Sequence, residues 1–189
     1  MRHYLLAGLL FLFQTAVAQQ KNKFQWTSTV KAGVMFGAST DNFHMQAMTG
    51  IKYTTWQLTA GGGVDCYYWR TVPIFISLSK DLLKKRNTPF VSSQFGINFP
   101  WIKNLEEDDW SDYRYHKGFY GNLDAGYRIA INSNASMTLS IGYSQKKLST
   151  EKIYYSLLEP RPPFNKVETF RENYSYSFNR LSFSVGLSF

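Results

Sequence analysis

Few residues in this chain could carry acid–base or nucleophilic chemistry. Among 189 residues there are three histidines and one cysteine, and His3 lies in an apolar N-terminal segment. His44 stands in a stretch of alternating polar and apolar residues, and His116 follows Ser111 in the segment DDWSDYRYHKG. Nucleophilic catalysis needs a nucleophile, a base and an orienting acid within mutual reach. Neither histidine lies in such a motif, so the sequence predicts a protein that is not an enzyme.

An acidic run is the densest set of potential metal ligands. It comprises Glu106, Glu107, Asp108 and Asp109, with Asp112 nearby. Clustered carboxylates bind hard cations such as calcium, but the spacing is not that of an EF-hand loop. We therefore expect a solvated acidic loop, with no metal site and no cofactor. The segment EPRPPFNK exposes Phe164 among prolines, and it is either a recognition surface or a loop stiffened by proline.

Polar and apolar residues alternate along most of the chain, and this period of two predicts that β-strands position these residues. Eight strands are predicted, over about 26–36, 43–53, 56–67, 73–81, 90–99, 119–131, 135–147 and 176–189. A tilted strand needs roughly 9–11 residues to cross a bilayer, and these strands are of about that length. No segment after the N-terminal one approaches the roughly 20 apolar residues of a spanning helix.

The two faces of these strands differ in chemistry. One face is apolar on nearly every strand, and the other carries Ser, Thr, Gly, Gln and Asn with isolated charges. A soluble barrel has its apolar face inside and a charged exterior, whereas here the polar face has too few charges for a water-exposed surface. The polar face is therefore predicted to line the lumen of a transmembrane barrel. Its charges, predicted to form a network of ion pairs, are Lys31, Lys52, Asp65, Asp81, Asp124, Arg128, Lys146 and Arg180.

Strand direction sorts the lumen charges by depth. Lys52, Asp81 and Arg128 are expected near the inner end of the barrel, and Lys31 with Asp124 near the middle. Asp65, Lys146 and Arg180 are expected nearer the outer end, together with His44. Asp65 lies on the strand next to His44 and could pair with it. An eight-stranded barrel is just wide enough for side chains to fill its interior, so we expect a closed lumen rather than a pore.

The connections between strands support an up-and-down order. The two long ones, 100–118 and 148–175, share the same end of the barrel, and the connections 54–55, 82–89 and 132–134 lie at the other end. Bacterial barrels have longer extracellular loops and short periplasmic turns. Aromatic residues also concentrate near the predicted strand ends, as in the two aromatic girdles of a membrane barrel.

The N-terminal segment predicts export. Arg2 is followed by the apolar run 5–13 and by Ala16-Val17-Ala18, which together have the order of a signal peptide cleaved after residue 18. The domain would then cover 19–189. Its one cysteine, Cys66, excludes an intramolecular disulfide. The formal charge of +8 favours an anionic membrane or lipopolysaccharide over nucleic acid as the partner.

The sequence resembles small outer-membrane β-barrels of the OmpA/OmpX type, in the form found in Bacteroidota. The resemblance rests on the leader ending AVAQ, the eight alternating strands, the segments 61–83 and 88–99, and the terminal LSFSVGLSF. It implies residence in the outer membrane of a Gram-negative bacterium, contact with its lipids and lipopolysaccharide, and a monomeric barrel. It also implies that Phe189 is part of a signal read by the barrel-assembly machinery.

Three functions remain open from the sequence. The first is a structural, adhesive or ligand-binding role at the cell surface through the connections 100–118 and 148–175. The second, implied by enzymes that resemble this chain, is a lipid-A-modifying acyl hydrolase or acyltransferase that would use His44 or His116. The third is a soluble binder of apolar ligands, which the inverted hydrophobic pattern disfavours.

Overall fold

The computed structural model describes residues 24–37, 42–66, 70–101, 111–157 and 166–189. They form nine strands: β1 (Phe24–Phe36), β2 (Asn42–Tyr53), β3 (Trp56–Cys66), β4 (Arg70–Asp81), β5 (Thr88–Pro100), β6 (Ser111–His116), β7 (Gly118–Ala130), β8 (Ser136–Leu157) and β9 (Lys166–Ser188). Within these ranges no helix is long and apolar enough to cross a membrane. The predicted signal peptide, the acidic residues 106–109 and Phe164 lie outside the described residues.

Eight of the strands close into an antiparallel barrel, which confirms the predicted fold class. β1 to β5 pair in chain order, followed by β7, β8 and β9, and β9 pairs with β1. Backbone hydrogen bonds extend the closing pair by one residue, because Ser28 and Phe189 each donate an N–H to the other's carbonyl, at 2.7 and 2.9 Å. Among the described strands, only β6 stands outside the ring, paired with the outer part of β8.

The pairing register fixes the dimensions of the barrel. Following paired residues from Gln25 through every barrel strand leads back to β1 at Met35, ten residues further along. With a rise of about 3.3 Å per residue and strands about 4.8 Å apart, this shear gives a tilt of about 41° and a backbone radius of about 8 Å. A ring of that radius leaves room for side chains and little else.

The barrel is apolar outside and polar inside, as predicted. The side chains that fill the lumen are mostly Ser, Thr, Gln, Asn and charged residues. A few large side chains are also buried there, such as Met35, Phe75, Phe90 and Tyr120. Most of the large apolar side chains of the barrel strands point outward and are exposed, for example Leu181, Phe183, Val185 and Leu187 on β9.

The outward apolar surface has the height of a bilayer core. On β1 it runs from Trp26 to Phe36, which is about 33 Å along the strand and about 25 Å along the barrel axis after correction for tilt. Exposed aromatic rings mark its inner end, where the Phe24 and Tyr53 ring centroids are 4.7 Å apart. At the outer end, Trp101 is exposed beside the Arg70 guanidinium.

The predicted long loops 100–118 and 148–175 are wrong in part, because both contain strand. β6 lies within the first, and in the second β8 continues to Leu157 while β9 begins at Lys166. β6, the outer part of β8 and the outer part of β9 form a three-stranded sheet that projects beyond the barrel. We call this sheet, residues 111–116, 149–157 and 166–177, the outer extension.

A β-bulge joins the barrel to the outer extension. Between the pairs His116–Ser149 and Tyr120–Lys146, three residues of the first segment lie opposite two of β8. Gly118 occupies this point, where a Cβ would stand 1.8 Å from a backbone carbonyl oxygen. Bulges bend a strand and increase its twist, so the extension leaves the barrel at an angle to the wall.

The predicted start of the fourth strand at Pro73 is also wrong, since β4 begins at Arg70. Proline lacks a backbone N–H, and the β3–β4 ladder is interrupted between Asp65–Thr71 and Gly62–Ile74, where Pro73 would donate. On its other side Pro73 stays paired with Asn98 of β5. The strand therefore tolerates proline in its interior.

Candidate functional sites in the lumen and the outer extension

The inner end of the lumen is organised around the carboxylate of Asp81. Lys52 of β2 donates to it at 2.7 Å, and Arg128 of β7 donates at 2.6 and 2.8 Å to its two oxygens. The other terminal nitrogen of Arg128 reaches Gln57 at 3.0 Å. Three strands, β2, β4 and β7, are thus tied together through one acid.

The middle of the lumen holds an ion pair and a neutral network. Lys31 of β1 donates to Asp124 of β7 at 2.6 Å, and both side chains are buried. Above them, Gln46 donates to the Tyr120 hydroxyl at 2.8 Å, and that hydroxyl donates to Gln94 at 2.9 Å. β2 and β7 stand four strands apart in an eight-stranded ring, so this network crosses the full width of the barrel.

The outer end of the lumen contains a buried pair between Lys146 of β8 and Asp65 of β3, which are also on opposite walls. The Thr71 hydroxyl donates to the same carboxylate at 2.8 Å. The predicted pairing of His44 with Asp65 is wrong. The two residues are register partners on β2 and β3, but the His44 ring contacts the Ser184 hydroxyl at 3.1 Å. Lys146 takes the acid because a full positive charge compensates a buried carboxylate better than a neutral imidazole does.

Arg180 is buried at the same outer level as Lys146. Its guanidinium lies against the backbone of Gly37, where a Cβ would come within 3.0 Å of Nε. The eight charges that the sequence placed in the lumen therefore occupy three depths. Lys31–Asp124 and Lys146–Asp65 pair across the lumen, and Lys52 and Arg128 reach Asp81 from strands two places away in the ring.

Little space is left between these side chains. Two gaps among the described lumen residues have volumes of about 40 and about 10 Å³. A water molecule needs roughly 10–15 Å³ of such volume. The gaps thus hold a few water molecules at most and do not amount to a channel.

The outer extension carries an aromatic face that continues the lumen side of the wall. Lys152 lies over the rings of Tyr113 and Tyr154, with Nζ 5.1 and 4.6 Å from their centroids. Glu172 accepts hydrogen bonds from the hydroxyls of Tyr154 at 3.1 Å and Tyr174 at 2.6 Å. This face was not predicted, because its charged and aromatic residues alternate without the apolar side that reveals a lipid-facing strand.

These contacts shift the titration of the extension residues. The hydrogen bond with Tyr113 raises the pKa of the Lys152 ammonium above its ordinary value. The hydrogen bond to Glu172 raises the pKa of Tyr174 to about 12. Both side chains consequently keep the protonated form that makes the contacts throughout the neutral range.

The residues considered for catalysis are not brought together. Ser111 and His116 are five positions apart on β6, about 17 Å along the strand. His116 instead lies 3.5 Å from Glu151, which also accepts from Arg171 at 2.7 Å. Asp112, predicted in a loop, is on β6 and accepts a hydrogen bond from the Tyr155 hydroxyl at 3.0 Å. No cluster of metal-ligating side chains occurs among the residues that the structure describes.

The barrel is similar to solved structures of small outer-membrane proteins. Neisserial surface protein A shares 15% identity at a TM-score of 0.50, over 87% of this chain and 96% of that one. The outer membrane protein OprG from Pseudomonas aeruginosa shares 9% identity at a TM-score of 0.55, over 88% and 95%. No protein-family model matches the chain, and no curated protein matches it in sequence. At these identities the likeness concerns the fold.

Proposed function

We propose that this chain is an integral outer-membrane protein whose closed barrel is a rigid scaffold for a binding surface on the outer extension. The observation that carries the proposal is the inverted distribution of polarity. Large apolar side chains cover the outside of a closed sheet while charged residues are buried within it. In water that surface would far exceed the apolar patches that soluble monomers expose, whereas in a bilayer it is buried.

Membrane residence is tested by refolding the protein into lipid vesicles. We expect a folded form that migrates differently from the boiled form on a gel and whose strands are protected from protease. A protein that stays soluble without lipid or detergent would refute the proposal. Orientation follows from protease access, because in cells we expect cleavage in the outer extension and not at the turn of residues 82–87.

A passive pore is not part of this function, since the cross-lumen pairs fill the interior. In a liposome-swelling assay, vesicles containing the protein should swell in arabinose no faster than empty vesicles. Faster swelling would show that the lumen conducts small solutes and would refute the closed scaffold.

Binding at the outer extension is supported by its composition. Tyrosine offers a large, rigid contact area at low entropic cost together with a hydroxyl, and it is enriched at protein interfaces. On this face Phe170 is 58% exposed and Tyr174 is 42% exposed, so much of the ring surface is open to a partner. The contacts with Lys152 and Glu172 hold the tyrosines in place before any partner arrives.

An adhesion assay tests the binding role. Bacteria displaying the protein should sediment or adhere faster than bacteria lacking it, and a Tyr154→Ala/Tyr174→Ala variant should lose the difference. Arg114→Ala/Asn173→Ala, on the opposite face of the same sheet, is the matched control and should keep it. Equal adhesion by both variants would contradict a role for the aromatic face.

A further inference from the structure

The inner mouth of the barrel contains a cavity that the scaffold role does not use. It has a volume of about 500 Å³ and is bordered by the inner ends of the strands and by the turn of residues 131–135. Ligand pockets in proteins commonly have volumes of about 300–1,000 Å³. The cavity is therefore of a size to receive a small molecule or the head of a larger one.

The charged side chains that line this cavity are all positive. Lys52, Arg86 and Arg128 line it, together with asparagine and serine side chains, and no Asp or Glu side chain is among its described lining residues. Asp81, buried in the lumen next to the cavity, pairs with both Lys52 and Arg128. Phe189, the last residue of the sequence, also lines the cavity and carries the terminal carboxylate. Three cationic side chains, Asp81 and the terminal carboxylate of Phe189 leave a net charge of about +1 at this mouth.

Arg128 has an unused donor at the same place. Its side chain is only 9% exposed, and its terminal nitrogens are engaged by Asp81 and Gln57. Its Nε–H is buried and has no hydrogen-bond partner among the described residues. A buried guanidinium donor without a partner costs free energy, so Asp81 and Gln57 leave the charge of Arg128 incompletely compensated.

We propose that this cavity binds a phosphate group. A phosphate monoester carries a charge of about −1.5 to −2 at neutral pH and three acceptor oxygens, which suits a net-positive site lined by arginine and lysine. Arginine is suited to such oxygens because its donors form a planar fork. The phosphate belongs either to a soluble molecule that enters the mouth or to the headgroup of a lipid beside it.

Binding is measured by calorimetry on the refolded protein in an alkyl maltoside, which contains no phosphate. The two probes are inorganic phosphate and dihexanoyl phosphatidic acid. Arg86→Gln removes one lining cation from the exposed turn, and Lys85→Gln, its exposed neighbour outside the cavity lining, is the matched control. We expect saturable binding and a loss of affinity of about tenfold or more in Arg86→Gln alone. The gel shift of each variant checks that it is folded.

The outcomes separate the two sources of phosphate. Binding of both probes with similar affinity indicates a soluble ligand, and binding of phosphatidic acid alone indicates a lipid headgroup. If neither probe shows saturable binding at concentrations up to about 10 mM, the proposal is overturned. Equal affinities of Arg86→Gln and Lys85→Gln would do so as well. Because the measurement is made in detergent, its result does not depend on whether the outer extension binds a partner.

Discussion

The cross-lumen pair of Lys146 and Asp65 is the sharpest test of what holds this barrel together. Lys146 is fully buried, and its partner lies on the opposite wall. In Lys146→Met a side chain of similar length fills the space, but the carboxylate loses its cation. The Thr71 hydroxyl still donates to Asp65 at 2.8 Å, so the acid keeps one of its two partners.

The expected cost follows from the burial of the remaining charge. Removing one partner of a buried ion pair costs about 3–5 kcal/mol, and we expect about 3 kcal/mol because Thr71 keeps its hydrogen bond. The double variant Asp65→Asn/Lys146→Met leaves no charge to compensate. It should therefore recover most of that loss, since neutral replacements of buried pairs are often tolerated.

The free energy of unfolding is measured by urea titration in lipid vesicles, with the gel shift as readout. At a slope of about 2 kcal/mol per molar urea, a loss of 3 kcal/mol lowers the midpoint by about 1.5 M. Lys147→Met, at the exposed next position, is the control and should move it little. Equal shifts in Lys146→Met and Lys147→Met, or a double variant as unstable as Lys146→Met alone, would refute the reasoning.

Three further predictions concern the barrel wall and the outer extension. Val185→Arg places a charge on the lipid face and should cost roughly 2–4 kcal/mol in the vesicle titration, whereas Ser184→Arg should destabilise through crowding in the lumen; equal tolerance would show that the faces are misassigned. Gly118→Ala should destabilise the folded protein in the same assay, because its Cβ would stand 1.8 Å from a backbone oxygen, and an unchanged midpoint would contradict this. The hydrogen bond of Tyr174 to Glu172 should stabilise the extension fully below pH 10 and be lost as the pH rises towards 12; a tyrosine absorbance titration that loses a step near 12 in Tyr174→Phe would confirm it, and one that loses a step near 10 would not.

The barrel could be predicted from the sequence because a bilayer imposes a two-faced pattern on every strand that crosses it. The strand ending in Val185, Leu187 and Phe189 shows the pattern without a break. The outer extension could not be predicted in the same way. Both of its faces meet water or other side chains, so the apolar period that reveals a lipid-facing strand stops at Leu181 although the backbone remains extended to Lys166.

For the lumen, too, the sequence pattern predicts some features and not others. The alternation of polar and apolar residues predicted which charges face the lumen, and strand direction predicted their depth. Depth was enough to predict that Lys52, Asp81 and Arg128 lie close together. It did not decide between partners at one level. Asp65 lies beside His44 in register, but Lys146 reaches it from the opposite wall, because the long lysine side chain extends across the narrow lumen of a closed ring.

The pairing of β1 with β9 has a consequence for how the protein is made. Thr29 and Ser188 meet across 159 positions of chain, whereas the other neighbouring barrel strands are joined by much shorter connections. Closing a loop of that length costs about 4–5 kcal/mol of chain entropy, and contacts so distant in sequence form slowly. Until they form, two rows of unpaired amides would face hydrocarbon, which a bilayer does not tolerate. Insertion and closure should therefore be a single cooperative event that waits for the last strand.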